Sequence, residues 1–124
     1  MKTLIRLSLT ALAAITLLAG CGGPSYERTA ITDVSAGDLD ATITLANVTM
    51  QVGAASKAII RPYDDDGEAM AGDVMSDDPS ILEIAPGLAE AEYIFMARTI
   101  GSTTVRYMAS GGVVSIARVT ITPQ

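Results

Sequence analysis

From Ala41 onward, apolar residues recur at every second position in short runs, each closed by Gly, Pro or Asp. Val48, Met50 and Val52 alternate with Thr49 and Gln51, and Gly53 ends the run. Ala58 and Ile60 alternate in the next, which closes on Pro62 and the turn Asp64-Asp65-Asp66-Gly67. Val74 lies in a short segment ahead of Asp77-Asp78-Pro79, and Leu82 and Ile84 flank Glu83 before Pro86-Gly87. Tyr93 to Ala97 is a fifth run. Thr103, Val105 and Tyr107 alternate with Thr104 and Arg106. After Gly111-Gly112, Ala117, Val119 and Ile121 alternate with Arg118 and Thr120. A period of two puts successive side chains on opposite faces of a strand, so each run offers one face to a core and one to water. Seven such runs, with turn residues about every ten positions, predict an all-β antiparallel sandwich over residues 41–124. Ile60, Leu82, Val105 and Val119 lie on the apolar phase and are expected inside. Leu88 to Glu92 is long enough only for a brief helical turn.

The N-terminal part reads differently. Lys2 and Arg6 precede a largely apolar stretch, Leu7 to Ala19, broken only by Ser8, Thr10 and Thr16. At ~1.5 Å per helical residue this stretch spans roughly 20 Å, short of the ~30 Å hydrocarbon core of a bilayer. It is therefore a signal segment rather than a membrane span. Leu18-Ala19-Gly20-Cys21 resembles the lipobox of bacterial lipoprotein precursors, and Cys21 is the only cysteine. The resemblance implies a signal peptide over residues 1–20, cleaved before Cys21. It implies acyl chains of the palmitate kind on Cys21, and a membrane as partner through that anchor. Gly22 follows, not the aspartate linked to inner-membrane retention, so the resemblance favours the outer membrane. Gly22 to Asp40 is small and polar and reads as a flexible tether, making 21–40 a lipidated cysteine with its linker. Such a tether reaches at most ~65 Å extended and averages roughly 25 Å as a coil. Ile31 and Val34 offer it only a local docking point.

Charge and chemistry narrow the function. Loss of Lys2 and Arg6 leaves 6 of the 8 Lys and Arg against 14 Asp and Glu, a net charge of −8. That repels phosphate backbones and excludes a nucleic-acid partner. With 0 histidines, Ser-His and Cys-His pairs and most zinc sites are ruled out. Lys57 is the one lysine left for a Ser-Lys pair, and the alternation of Ser56-Lys57-Ala58-Ile59-Ile60 turns it to solvent. No catalytic residue, cofactor or metal ligand is assigned, and the chain is read as a non-enzyme. Asp64, Asp65, Asp66 and Glu68 around Gly67 are the residue types a hard cation such as calcium prefers. They lack the spaced aspartates and distant glutamate of a calcium loop, and read as a solvated hairpin. Asp73, Asp77 and Asp78 can join them only if two loops meet at one end of the sandwich. Arg61, Arg98, Arg106 and Arg118 are scattered sheet-face charges, and Met70, Met75, Met96 and Met108 are core and edge filler.

Several of these runs together resemble bacterial immunoglobulin-like domains of group 2, the modules of intimin- and invasin-like surface proteins. The matching pieces are Val48-Thr49-Met50-Gln51-Val52-Gly53, Ser76-Asp77-Asp78-Pro79-Ser80-Ile81-Leu82-Glu83-Ile84, Phe95 and Ala97 with Gly101-Ser102-Thr103-Thr104-Val105, and Arg118-Val119-Thr120-Ile121. Two features depart from that pattern: Val74 stands where the family often has tryptophan, and the stretch from Pro86 to Glu92 is long. The resemblance implies an immunoglobulin-like sandwich of about seven strands, a non-catalytic envelope module that binds a protein or glycan, adheres, or acts as a spacer. Two alternatives stand beside it: an accessory subunit of an envelope or secretion complex, and a calcium-dependent adhesin. An exposed apolar patch or unpaired edge strand favours the binding roles. Clustering of the 64–68 and 73–78 carboxylates favours calcium.

Overall fold

The computed structural model of the chain describes residues 25–124; the expected signal peptide 1–20 and the lipidated Cys21 lie outside the described residues. Nine strands form there: β1 (Tyr26–Ala36), β2 (Ala41–Ile43), β3 (Asn47–Gln51), β4 (Ala55–Asp64), β5 (Gly72–Ser76), β6 (Leu82–Pro86), β7 (Glu92–Ala97), β8 (Gly101–Ala109) and β9 (Gly112–Thr122). They build a 4-stranded sheet in the order β1-β4-β7-β6 and a 5-stranded sheet in the order β2-β3-β9-β8-β5. With β1 as strand A and β4 to β9 as B to G, the first sheet runs A-B-E-D and the second contains G-F-C. That is the strand order of an immunoglobulin-type sandwich. The all-β sandwich expected from the sequence is the fold, and the seven expected runs are β3 to β9.

Two expectations are corrected. Residues 22–40 are not a tether throughout, because β1 pairs antiparallel with β4 from Tyr26↔Asp64 to Ala36↔Ser56. As an edge strand β1 needs little apolar alternation: most of its residues are exposed, and Ile31 is the one that packs against the core. Its ladder is irregular between Thr32 and Ser35, where Asp33 takes a φ of 52°. The buried Ser56 hydroxyl donates to the Ser35 carbonyl at 2.9 Å, beside that irregularity. The sandwich is also not purely antiparallel. β3 lies parallel to β9, from Asn47↔Arg118 to Gln51↔Thr122. After β1 the chain crosses to the second sheet through the β2–β3 hairpin, and β3 then runs in the same direction as β9.

The core fills the space between the sheets. Val48, Leu82, Phe95, Val105 and Val119 are wholly buried, and Ile60 is 4% exposed, so all four residues expected inside are there. Each such side chain contributes ~1.5–3 kcal/mol by leaving water. Val74, at the position where group 2 domains often carry tryptophan, is buried as well. The stretch Leu88–Glu92 forms a turn, not a helix: the Glu92 carboxylate accepts from the amides of Leu88 at 2.9 Å and Ala89 at 3.3 Å. Gly53, with φ +91°, ends β3 where a Cβ would sit 2.9 Å from Gln124 Nε2. Gly72 opens β5 so close to β4 that a Cβ would lie 2.7 Å from Pro62 Cγ.

Candidate functional site

The acidic turn closes β4. Asp64 is only 6% exposed, and its Oδ1 accepts from the amides of Asp66 and Glu68, each at 2.9 Å. The Asp65 amide donates to the Ser25 carbonyl at 2.9 Å, tying the first described residue to this turn. Carboxylate oxygens of Asp64, Asp65 and Asp66 come within 4.8 Å of one another. The other acidic loop does not join them. β5 starts at Gly72 beside Pro62 and ends at Ser76, so Asp77 and Asp78 follow at the opposite end of the sandwich. Asp77 is engaged there. It accepts from the Thr104 hydroxyl and, at 2.8 Å, from Arg106 Nε. The Thr104 hydrogen bond first, then Arg106, hold its carboxyl below the usual range. Calcium takes six to eight oxygens, and the one clustered set among the described residues is three carboxylates, one already holding two amides.

The cations are dispersed. Lys57 projects from β4 into solvent, its Nζ 4.0 Å from Glu92. Arg61 faces Glu90 at 3.9 Å, and Arg98 Nε donates to Glu83 at 2.8 Å. These pairs lie on exposed surface, where each contributes ~0–1 kcal/mol. Arg28, which the sequence did not single out, lies over the Tyr63 ring at 4.4 Å. The methionines are dispersed too: Met75 is half exposed on β5, Met96 is on β7, Met108 on β8 and Met70 in the β4–β5 loop. Met50, on the inward phase of β3, is buried.

One concave surface was not foreseen. β5 and β6 end their respective sheets, and neither has a partner on its outer side among the described residues. Between them lies a groove of about 390 Å³, lined in part by Val74, Met75, Ser76, Ile84, Pro86 and Tyr93. Burial first, then the charge of Asp73, raises the Tyr93 phenol above its ordinary value. The period-two pattern assigns Val74 and Ile84 to a core face. It carries no sign that the two strands end separate sheets side by side.

No protein-family model matches the chain, and no curated protein sequence is similar to it. Solved structures are similar. The chain shares its fold with S-layer protein domains. Domains 4 and 5 of the S-layer protein SbsC superpose with a TM-score of 0.55 at 18% identity, over 81% of this chain and 54% of that one. Domains 5–6 of SbsC give a TM-score of 0.53 at 18% identity, over 80% and 45% of the two chains. This chain thus spans about half the length of each SbsC structure. The likeness at this identity is one of fold.

Proposed function

We propose that the protein is an envelope lipoprotein, anchored through Cys21, whose immunoglobulin-like sandwich is a non-catalytic module for binding a protein or glycan. The observation that carries this reading is the lipobox ending at Cys21, followed four positions later by Ser25 and the start of an all-β sandwich. The placement of the group 2 segments supports it. Val48–Gly53 covers most of β3, Ser76–Ile84 spans the β5–β6 turn, Gly101–Val105 opens β8, and Arg118–Ile121 is in β9. The fold likeness to S-layer domains supports an envelope location. Gly22 favours the outer membrane.

The test is Cys21→Ser in the full chain, with labelled palmitate and membrane fractionation as readouts. The reading predicts loss of label and release from the membrane fraction. If the Ser variant stays with membranes as fully as the parent, the anchor is wrong. A second reading, an accessory subunit of an envelope complex, draws on the β5–β6 groove with its two unpaired edges. Photo-crosslinking from Met75 in intact envelopes separates the two. One envelope protein captured in a stoichiometric complex supports the subunit; a polysaccharide adduct, or a protein captured only in substoichiometric amounts, supports the binding module.

A further inference from the structure

Both sheets end on each side in a strand with one open edge, and the four edges differ. β1 breaks register between Tyr26 and Arg28 and again between Thr32 and Ser35, and such irregularity blunts an edge. β2 has only 3 residues. β5 occupies its own edge groups: Asp73 Oδ1 accepts from the Val74 amide at 2.8 Å, and the Tyr93 hydroxyl donates to the Gly72 carbonyl at 3.4 Å. β6 keeps more of its groups open. Its hydrogen bonds to β7 run through the odd-numbered residues, because the Arg98 amide donates to Ile81 and the Gly87 amide to Glu92 in the β6–β7 register. The backbone groups of Leu82, Ile84 and Pro86 therefore point away from β7. The Leu82 amide donates to the Asp78 carbonyl, and Pro86 has no amide hydrogen. That leaves the Ile84 amide and carbonyl, and the carbonyls of Leu82 and Pro86, without a partner among the described residues.

The β5–β6 groove lies along this edge. Ile84 shares the inward side of β6 with the buried Leu82 but stays partly exposed where the groove opens, and Val74 faces it from β5. An extended chain laid antiparallel to β6 pairs one residue with Ile84 through both of its backbone groups. The residues two positions to either side donate to the Leu82 and Pro86 carbonyls. These same alternate residues turn their side chains into the groove, onto Ile84 and Val74, which selects apolar types. The residues between them lie opposite Glu83 and Ala85 on the outer side. Asp73 and Glu83 line the groove, no Lys or Arg does, and Asp73 has no ion pair among the described residues. Residues 25–124 hold 14 Asp and Glu against six Lys and Arg, a charge of −8. Both the local and the overall charge select cations on the guest. We propose that β6 takes up an extended segment of a partner protein as an added strand, one that alternates apolar residues with Lys or Arg and has no proline at its apolar positions. This deepens the reading of the domain as a protein-binding module and rests on it, but not on the Cys21 anchor.

The probe is a capped seven-residue peptide of alternating Lys and Val, titrated onto the acylated full chain in neutral detergent. Two derivatives keep its charge: one is N-methylated at the central Val, the other at a neighbouring Lys. The first loses an amide aimed at β6, the second an amide aimed away from it. Methylation at Val should weaken binding at least ~10-fold, and methylation at Lys by no more than about twofold. A neutral Thr/Val peptide should bind several-fold more weakly than the Lys/Val peptide. That gap should close at 1 M salt, where the Debye length is ~3 Å. Hydrogen exchange should slow at the Ile84 amide of the bound protein and not along β1. Equal binding of the two methylated peptides, protection along β1 instead of Ile84, or no binding of the Lys/Val peptide at millimolar concentration overturns strand addition at β6. If an envelope protein is still captured from Met75, the binding module survives that result; a polysaccharide adduct alone overturns the protein partner as well.

Discussion

One oxygen of Asp64 accepts two backbone amides while the side chain is almost out of water. Its role is to hold the turn closed. Asp64→Ala strips both amides of their acceptor in a partly buried site, at ~1–3 kcal/mol. Asp64→Asn keeps an acceptor oxygen and is expected to cost less. Thermal denaturation of the two variants checks this, and equal losses would show that the turn needs the charge rather than the geometry. Val105 is wholly buried between the sheets. Val105→Asp places an unpaired charge there, and loss of the cooperative melt is the expected outcome. Tyr107 is buried too, and its hydroxyl donates to the Thr44 carbonyl at 3.0 Å. Burial raises its phenol well above the ordinary ~10. The unfolded chain releases that proton near pH ~10 while the folded chain keeps it. This contribution is therefore whole below pH ~10 and is lost as pH rises beyond it, by up to ~1.4 kcal/mol per pH unit. Tyr107→Phe should make the alkaline decline shallower, at a cost near neutral pH of ~0.5–1.5 kcal/mol for the lost hydrogen bond. A pH series of chemical denaturation curves measures both.

At the scale of elements, β1 changes what counts as the domain. It covers one edge of β4 over almost the whole length of that strand. A fragment of residues 41–124 leaves that edge bare and uncovers the core beside Ile31, so it is expected to associate or to lose its cooperative melt. Size-exclusion chromatography and calorimetry of the fragment decide this. A monomer melting like the full chain would return residues 25–36 to the status of a linker. What the sequence made legible follows from the same physics. In β4, β8 and β9 one face meets the opposite sheet, so burial forces alternation and Ile60, Val105 and Val119 stand out. β1 buries little and keeps its place by backbone hydrogen bonds, which any residue but proline supplies, so its side chains carry almost no trace of it. The β3–β9 pairing was hidden for another reason. Alternation fixes which side chains point inward, not which strand lies alongside or in which direction. The role of Asp64 is not legible in the sequence, because the turn composition Asp-Asp-Asp-Gly does not say which carboxylate folds back onto the backbone.

At the scale of the whole molecule, the two acidic loops sit at opposite ends of the sandwich and share no site. A melting temperature nearly unchanged between excess EDTA and millimolar calcium is expected. The measurement is sensitive, because a ligand at 100 times its dissociation constant adds ~2.7 kcal/mol. For a domain of this size that is a shift on the order of 10 °C. A rise of that size with calcium but not magnesium, lost in Asp64→Asn/Asp66→Asn, would restore the calcium-dependent adhesin. The parallel contact of β3 with β9 has a consequence in time. β3 is made early, and its neighbour on that side arrives about 70 residues later, a separation that makes folding slow because a long loop must close first. Until β9 is present, β3 and β8 lack the strand that lies between them, and the larger sheet cannot close. A polypeptide threaded through a narrow pore gains from that delay. On the export route proposed above, the larger sheet would close only once β9 had followed.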